Sequence, residues 1–319
     1  MKYLGAIDVG GTKTMVGIVG PNAQILTKRH FATYTADCYA HFSDCCTRFN
    51  ECLSELAMTL NDLEGIGVNM PGMVDASTGV LLQASFAGWY GIDVKNYFSR
   101  MFGTDKIYVE NDVNSCAAGE LIFGNACDNF LWVTVSTGIG GAVMIDRKLV
   151  YGCNSCAGEI GHVKVEYERP ARCSCGQWGC AEAHGSGTAI TRMFSQKVEE
   201  NAELARILAE KKLPADARTC SLLVKEGNQK AIEVFHTAGK YIGRALSYAA
   251  NLLNPHKIYI GGGVSDSLEL LLPALREEFD RATVKQCAGI EIVKTALDYD
   301  AALMGAAALS LTRNFSKVL

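Results

Sequence analysis

Two stretches of this chain share one pattern: an apolar strand, a turn built on glycines, and a strand that returns. The first runs through Leu4 to Val9, turns at Gly10-Gly11 and comes back over Met15 to Val19. The second runs through Leu131 to Ser136, turns at Gly138-Ile139-Gly140-Gly141 and comes back over Ala142 to Ile145. Each unit is followed by an amphipathic helix and a further strand. In the first half a third strand is predicted over Gln24 to Phe31. A helical stripe of Cys38, Phe42, Cys45, Phe49, Cys52, Leu53, Leu56 and Leu60 follows, then a strand from Gly65 to Met70 that ends at Pro71-Gly72. In the second half the stripe Ile232, Phe235, Ala238, Ile242, Ala245, Leu246, Ala249, Leu252, Leu253 leads to a strand from Lys257 to Ile260. Repetition of a mixed unit predicts a duplicated α/β fold, and 319 residues are enough for two lobes.

Charge and composition narrow the choice of partner. Hydrophobic residues make up 49% of the chain and charged ones 20%, which is the balance of a globular protein with ample surface to bury. The formal charge of −4 comes without a basic block, so neither nucleic acid nor an anionic membrane is expected to bind. No run of 18 apolar residues occurs, and the first apolar run meets Asp8 and glycines too early for a signal peptide, so a cytoplasmic setting is expected. The 13 cysteines then read as reduced thiols, and closely spaced ones as metal sites.

In Asp8-Val9-Gly10-Gly11-Thr12-Lys13, adjacent glycines let backbone amides point outward at phosphate oxygens, and Thr12 adds a hydroxyl. Asp8, at the strand end, suits Mg²⁺ or its waters. An ordinary Gly-Gly hairpin has the same look. The P-loop pattern does not fit, because this turn leads into a strand rather than a helix. Ser136-Thr137-Gly138 offers the same chemistry from the other half, and Gly261-Gly262-Gly263 follows a strand where a base and ribose could approach the backbone. Three such turns together favour a nucleotide site.

Glu110-Asn111-Asp112-Val113-Asn114 follows a predicted strand, Lys106 to Val109, and precedes a helix predicted to begin near Ser115. A carboxylate there lies where α/β sheets form ligand crevices, although Asp and Asn are also the preferred helix caps. Asp112 would orient a hydroxyl nucleophile and accept its proton late in phosphoryl transfer.

The most specific pattern is His162 followed by Cys173-Ser174-Cys175-Gly176-Gln177-Trp178-Gly179-Cys180. Three thiolates and an imidazole make a closed tetrahedral zinc site, which argues for a structural metal. Glu159 and Glu182 flank it and would be held as acceptors for vicinal sugar hydroxyls, with His162 using its second ring nitrogen in the same way.

These segments, with Pro71-Gly72-Met73-Val74-Asp75, Gly158-Glu159-Ile160-Gly161-His162 and Ser186-Gly187, are collinear over the chain and resemble the ROK family of sugar kinases and sugar-responsive regulators. The resemblance implies an actin/hexokinase-like, ribonuclease H-like duplicated fold. It implies a small lobe over 1–113 completed by a C-terminal helix within 300–319, and a large lobe over 114–299 carrying the zinc loop. It also implies transfer of the γ-phosphoryl group of ATP to a hexose, commonly at the 6-hydroxyl, with Mg²⁺ and a structural Zn²⁺.

By the same resemblance Asp112 is the catalytic base. Asn111, Glu159, His162, Glu182, Gly72 and Ser85 face the sugar. Asp8, Gly10, Gly11, Thr12, Lys13, Thr137, Gly138, Gly262 and Gly263 serve ATP, and His162, Cys173, Cys175 and Cys180 hold zinc. Many relatives carry Asn where this chain has Ser85, and a hydroxyl pairs differently from an amide, which bears on the choice of sugar. Glucose is the first expectation, with N-acetylmannosamine, mannose and fructose behind it. The rival is a sugar-sensing repressor. Such relatives place a helix-turn-helix domain before the first glycine turn, here reached at Gly10. A homodimer or homotetramer is expected.

Overall fold

The computed structural model describes residues 2–312. The chain forms two compact units: one from Met1–Asn129, Ala142–Ala157 and Thr295–Leu319, the other from Phe130–Gly141 and Gly158–Lys294.

The first unit is built on β1 (Tyr3–Val9), β2 (Lys13–Val19), β3 (Ile25–Ala32), β4 (Leu63–Met70) and, after the hairpin strands β5 (Met73–Asp75), β6 (Val80–Ala84) and β7 (Trp89–Asp93), β8 (Ile107–Asn111). Its main sheet has the order β3-β2-β1-β4-β8. β1 and β4 read as nearly continuous apolar runs because both faces of the sheet are covered. On one face Phe42 and Phe49 of α1 (Cys38–Glu55) and Phe98 of α2 (Val94–Phe102) pack with Ile7 and Val68. The other face, Leu4, Ala6, Met15 and Val19, is covered by the C-terminal helix described below.

The second sheet takes β9 (Phe130–Val135), β10 (Ile139–Ile145), β11 (Lys148–Leu149), β12 (Lys257–Gly261) and β13 (Glu291–Lys294) in the order β11-β10-β9-β12-β13. Numbered along the chain, both sheets run third, second, first, fourth, fifth. The duplication read from the sequence is therefore present strand for strand.

Several boundaries differ from those predicted. α1 ends at Glu55, because Ala57 takes a left-handed conformation, yet Leu56 and Leu60 still pack on the same core from the following turn. That is why the apolar spacing outlasts the helix. Helix α3 (Asp112–Phe123) begins at Asp112 rather than near Ser115, since Asn111 caps it by accepting from Val113 N and Asn114 N. The turn of the second hairpin is tighter than Gly138-Ile139-Gly140-Gly141: Ser136 N donates to Gly138 O at 2.9 Å and the returning strand starts at Ile139.

The predicted boundary after residue 113 falls instead after Asn129. The physical reason is α3, whose Gly119 backbone sits directly on Gly305, so this helix stays with the first unit. The expected C-terminal helix spans Ala301–Leu309, and residues 313–319 of that expectation lie outside the described residues. After β11 the helices are α4 (Ala181–Gly185), α5 (Gly187–Glu200), α6 (Ala202–Lys211), α7 (Ala217–Lys225), α8 (Gln229–Leu253), α9 (Leu268–Ala282) and α10, which is this Ala301–Leu309 helix.

Candidate functional site

In the first unit, parallel strands β1, β4 and β8 bring their carboxyl ends to one edge of the sheet. Asp8 pairs with Asn69, Asn69 with Glu110 and Met70 with Asn111 across the ladder. Asp8 is buried, and burial followed by the charge of Asp112 pushes its carboxyl up to about 7, opposed by a hydrogen bond from Asn69. Asn69 Nδ2 reaches Asp8 Oδ1 at 3.4 Å and Ala302 O at 2.7 Å, while Asn69 Oδ1 is a buried acceptor with no partner among the described residues. Two carboxylates beside an orphaned amide oxygen form an oxygen-rich site that a hard divalent cation fits.

Asn111 secures Asp112. Its Oδ1 accepts from Val113 N and Asn114 N, and its Nδ2 donates to Gly72 O at 2.8 Å and to Asp112 Oδ1 at 3.0 Å. The side chain expected to face a sugar is thus engaged as helix cap and clamp. Beneath it the buried Glu110 accepts from Asn111 N, Asn114 Nδ2 and Tyr151 Oη, the last at 2.7 Å. Gly72 enters through its carbonyl, and Ser85 is exposed, accepting from Gln83 Nε2 at 2.5 Å.

The β1–β2 turn is held from within. Gly10 N donates to Lys13 O at 3.1 Å, and a Cβ on Gly10 would lie 2.5 Å from that oxygen, so only glycine fits. Thr33 Oγ1 donates to Gly10 O at 2.7 Å and Thr33 N to Thr12 O at 3.0 Å. Gly11, Thr12 and Lys13 are exposed, with Lys13 Nζ donating to Tyr299 Oη at 3.2 Å.

In the second unit β9 and β12 run parallel, so Thr137-Gly138 and Gly262-Gly263 leave the same edge of their sheet. Glu182 Oε2 accepts from Ile139 N at 3.1 Å and stands where a Gly138 side chain would be, while its Oε1 accepts from Ser174 Oγ at 2.6 Å. Glu182 therefore links the cysteine loop to the glycine turn, a connection the sequence did not suggest.

The ligand atoms of His162, Cys173, Cys175 and Cys180 all lie within 4.8 Å of one another. Zn–S bonds of about 2.3 Å and a Zn–N bond of about 2.0 Å in a tetrahedron separate ligand atoms by roughly 3.5–3.8 Å. Cys175 Sγ and Cys180 Sγ are 3.8 Å apart, and Cys173 Sγ is 3.6 Å from His162 Nδ1, so the donor set fits zinc. His162 Nε2 points the other way, 3.8 Å from the exposed Glu159 carboxylate. Lys164 Nζ lies 3.1 Å from Cys180 Sγ and offsets the excess negative charge of three thiolates on a divalent ion.

Sequence reasoning missed Asn69, Tyr151 and Thr33. Each is a lone polar residue on or near a strand, and only sheet register reveals what it touches. Glu110, quoted with its neighbours, was given no role.

A twofold-repeated strand order, glycine turns at the ends of parallel strands, and an acidic cluster beside one of them define the actin/hexokinase-like class of fold. The ROK family profile matches residues 4–313, and the chain belongs to that family. It is 32% identical to a glucokinase of Halalkalibacterium halodurans over 95% of this chain and 93% of that one. It superposes with a TM-score of 0.83 on a ROK family glucokinase from Streptomyces griseus crystallised with glucose and AMPPNP, at 28% identity, covering 96% of this chain and 98% of that chain. A xylose repressor of Bacillus subtilis is 29% identical over 76% of this chain and 60% of its own length. No helix among the described residues is long and apolar enough to cross a membrane.

Proposed function

We propose that this chain is an ATP-dependent hexose kinase that transfers the γ-phosphoryl group to the 6-hydroxyl, with glucose as first substrate and Asp112 as base. The observation that carries it is the placement of Asp112: at the end of β8, clamped by Asn111 Nδ2, in electrostatic contact with Asp8 and on the sheet that presents the Gly10–Thr12 turn. Similarity to glucokinases, one crystallised with glucose and an ATP analogue, supports the class and the sugar.

Asp112 orients the hydroxyl and takes its proton as the bond to phosphorus forms and the bond to ADP breaks. On the first unit the amides of Gly11 and Thr12 would receive phosphate oxygens; on the second, the Thr137-Gly138 turn offers amides of the same kind, and Gly262 and Gly263 leave room for base and ribose. Asp8 and Asn69 would hold Mg²⁺, which when bound neutralises charge on the β- and γ-phosphates. Zinc on His162, Cys173, Cys175 and Cys180 would have a structural role, fixing the loop from which Glu159, His162 and Glu182 face the sugar. Ser85, exposed at the hairpin end, is where N-acetylmannosamine, mannose or fructose would be distinguished from glucose. A homodimer or homotetramer in the cytoplasm belongs to the same reading.

The repressor similarity motivates a second reading, sugar binding without transfer. ADP release measured across these four sugars separates the two, since binding alone releases none. Asp112→Asn is expected to keep both ligands bound and to lose roughly a hundred- to thousandfold in kcat. Turnover near the wild-type rate would overturn the assignment of Asp112.

A further inference from the structure

His41, on α1, is buried, has Phe31 and Trp89 as ring neighbours, and carries no role in the site described above. Its hydrogen bonds nevertheless lead to the β1–β2 turn. Tyr34 N donates to His41 Nδ1 at 3.3 Å, so that nitrogen carries the lone pair and Nε2 carries the proton. Nε2 lies 2.8 Å from Thr14 Oγ1, and Thr14 Oγ1 lies 2.9 Å from Thr33 Oγ1. Thr33 uses its only hydroxyl proton on Gly10 O, at 2.7 Å. Thr33 must then accept from Thr14, and Thr14 from His41. The chain of donors runs in one direction, from the imidazole to the carbonyl of Gly10.

That carbonyl matters because a trans peptide sets its C=O and the following N–H antiparallel in one plane. Holding Gly10 O inward on Thr33 turns the Gly11 N–H outward, on the exposed side of the turn. Gly10 N is held separately by Lys13 O. We propose that His41 is a positioning residue for the phosphate turn: through Thr14 and Thr33 it fixes the Gly10–Gly11 peptide and aims the Gly11 amide at an anionic oxygen of the nucleotide. The inference rests on the nucleotide role proposed for this turn. Burial lowers the basicity of His41, against a raising influence from the Asp44 carboxylate, which is consistent with the neutral tautomer the geometry requires.

The test separates aim from fold. Thr33→Val removes the hydroxyl but keeps the backbone bond from residue 33 to Thr12 O, and His41→Leu removes the first donor. Each is expected to raise the ATP KM about tenfold, the scale of one misdirected hydrogen bond to a charged group, with the sugar KM within about twofold. Thr33→Ser and His41→Gln, which restore a donor, should return the ATP KM toward wild type. Nitrogen-15 NMR of the full chain should show His41 protonated at Nε2, and Thr33→Val should move the Gly11 amide resonance in the free protein and weaken its response to added ADP. Equal changes in both KM values, no rescue by the restoring variants, or a Gly11 amide indifferent to Thr33→Val would overturn the proposal. If wild-type protein releases no ADP with any sugar, the kinase reading fails, and the Gly11 response to ADP still decides this one.

Discussion

Asp8 illustrates how a residue legible in sequence acquires its meaning from burial. Its place before Gly10-Gly11 marked it, but what pushes its carboxyl up to about 7 is burial and then the charge of Asp112 at the start of α3, opposed by the hydrogen bond from Asn69 of β4. An acid raised from 3.8 in the unfolded chain binds more protons when folded, so its stabilising contribution is full below that value and is lost as pH rises toward 7. Without divalent cations, Asp8→Asn should therefore gain thermal stability over wild type as pH increases from about 4 to 7, by an amount on the order of a few kcal/mol. Added Mg²⁺ should narrow the gap by stabilising only the wild type, and the variant should lose activity. Melting temperatures of both proteins across that range check this, and a difference independent of pH would refute the account. Asp112 was likewise legible, whereas Asn69 and Glu110 were not, because an amide or carboxylate within or beside a strand gives no sign of facing another strand end.

At the scale of elements, helices and strands were readable from apolar period, and their ends were less so. Leu56 and Leu60 continued the period of α1 by packing on the same core from a turn, and Asn111 started α3 earlier than its apolar content indicated. The cysteine loop was the most legible element, since the spacing of His162 and three cysteines reads as a ligand pattern and the four side chains do converge. What spacing could not convey is that Glu182 spans from Ser174 to the Ile139 amide. Purified protein is expected to hold one zinc per chain by elemental analysis, and Cys175→Ser to lose it. The variant's sugar KM should rise tenfold or more, from loosening of Glu159 and His162, and its ATP KM should rise less, through Glu182 and the Gly138 turn. Zinc-free protein with full activity, or a serine variant with unchanged KM values, would defeat the assignment.

For the whole molecule, the duplicated strand order was visible in the repeated hairpin grammar, whereas the return of a C-terminal helix to the first lobe was implied by the family resemblance and not by any local pattern. The first unit draws on three separate segments, and its last, α10, fills the face of β1 and β2 formed by Leu4, Ala6, Met15 and Val19 with Leu303, Met304, Ala306 and Ala307. Local periodicity does not report such a return, because α10 is apolar nearly all round and reads only as a buried helix. The return is close: a Cβ on Gly67 of β4 would stand 1.8 Å from Ala306 O and 2.7 Å from its carbonyl carbon. These are backbone atoms and cannot rotate aside, so Gly67→Val must push α10 off the sheet or bend β4. A loss of about 3 kcal/mol or more is expected, read as a lower urea midpoint, at a position that touches no residue assigned to catalysis. Because β4 carries Asn69 beside Asp8, two residues beyond Gly67, activity of the surviving folded fraction should fall as well. By contrast Gly263, with no atom within 4 Å of a Cβ built there, should accept alanine with little change in the urea midpoint. Equal midpoints for Gly67→Val and Gly263→Ala would mean that α10 is not what completes the first unit.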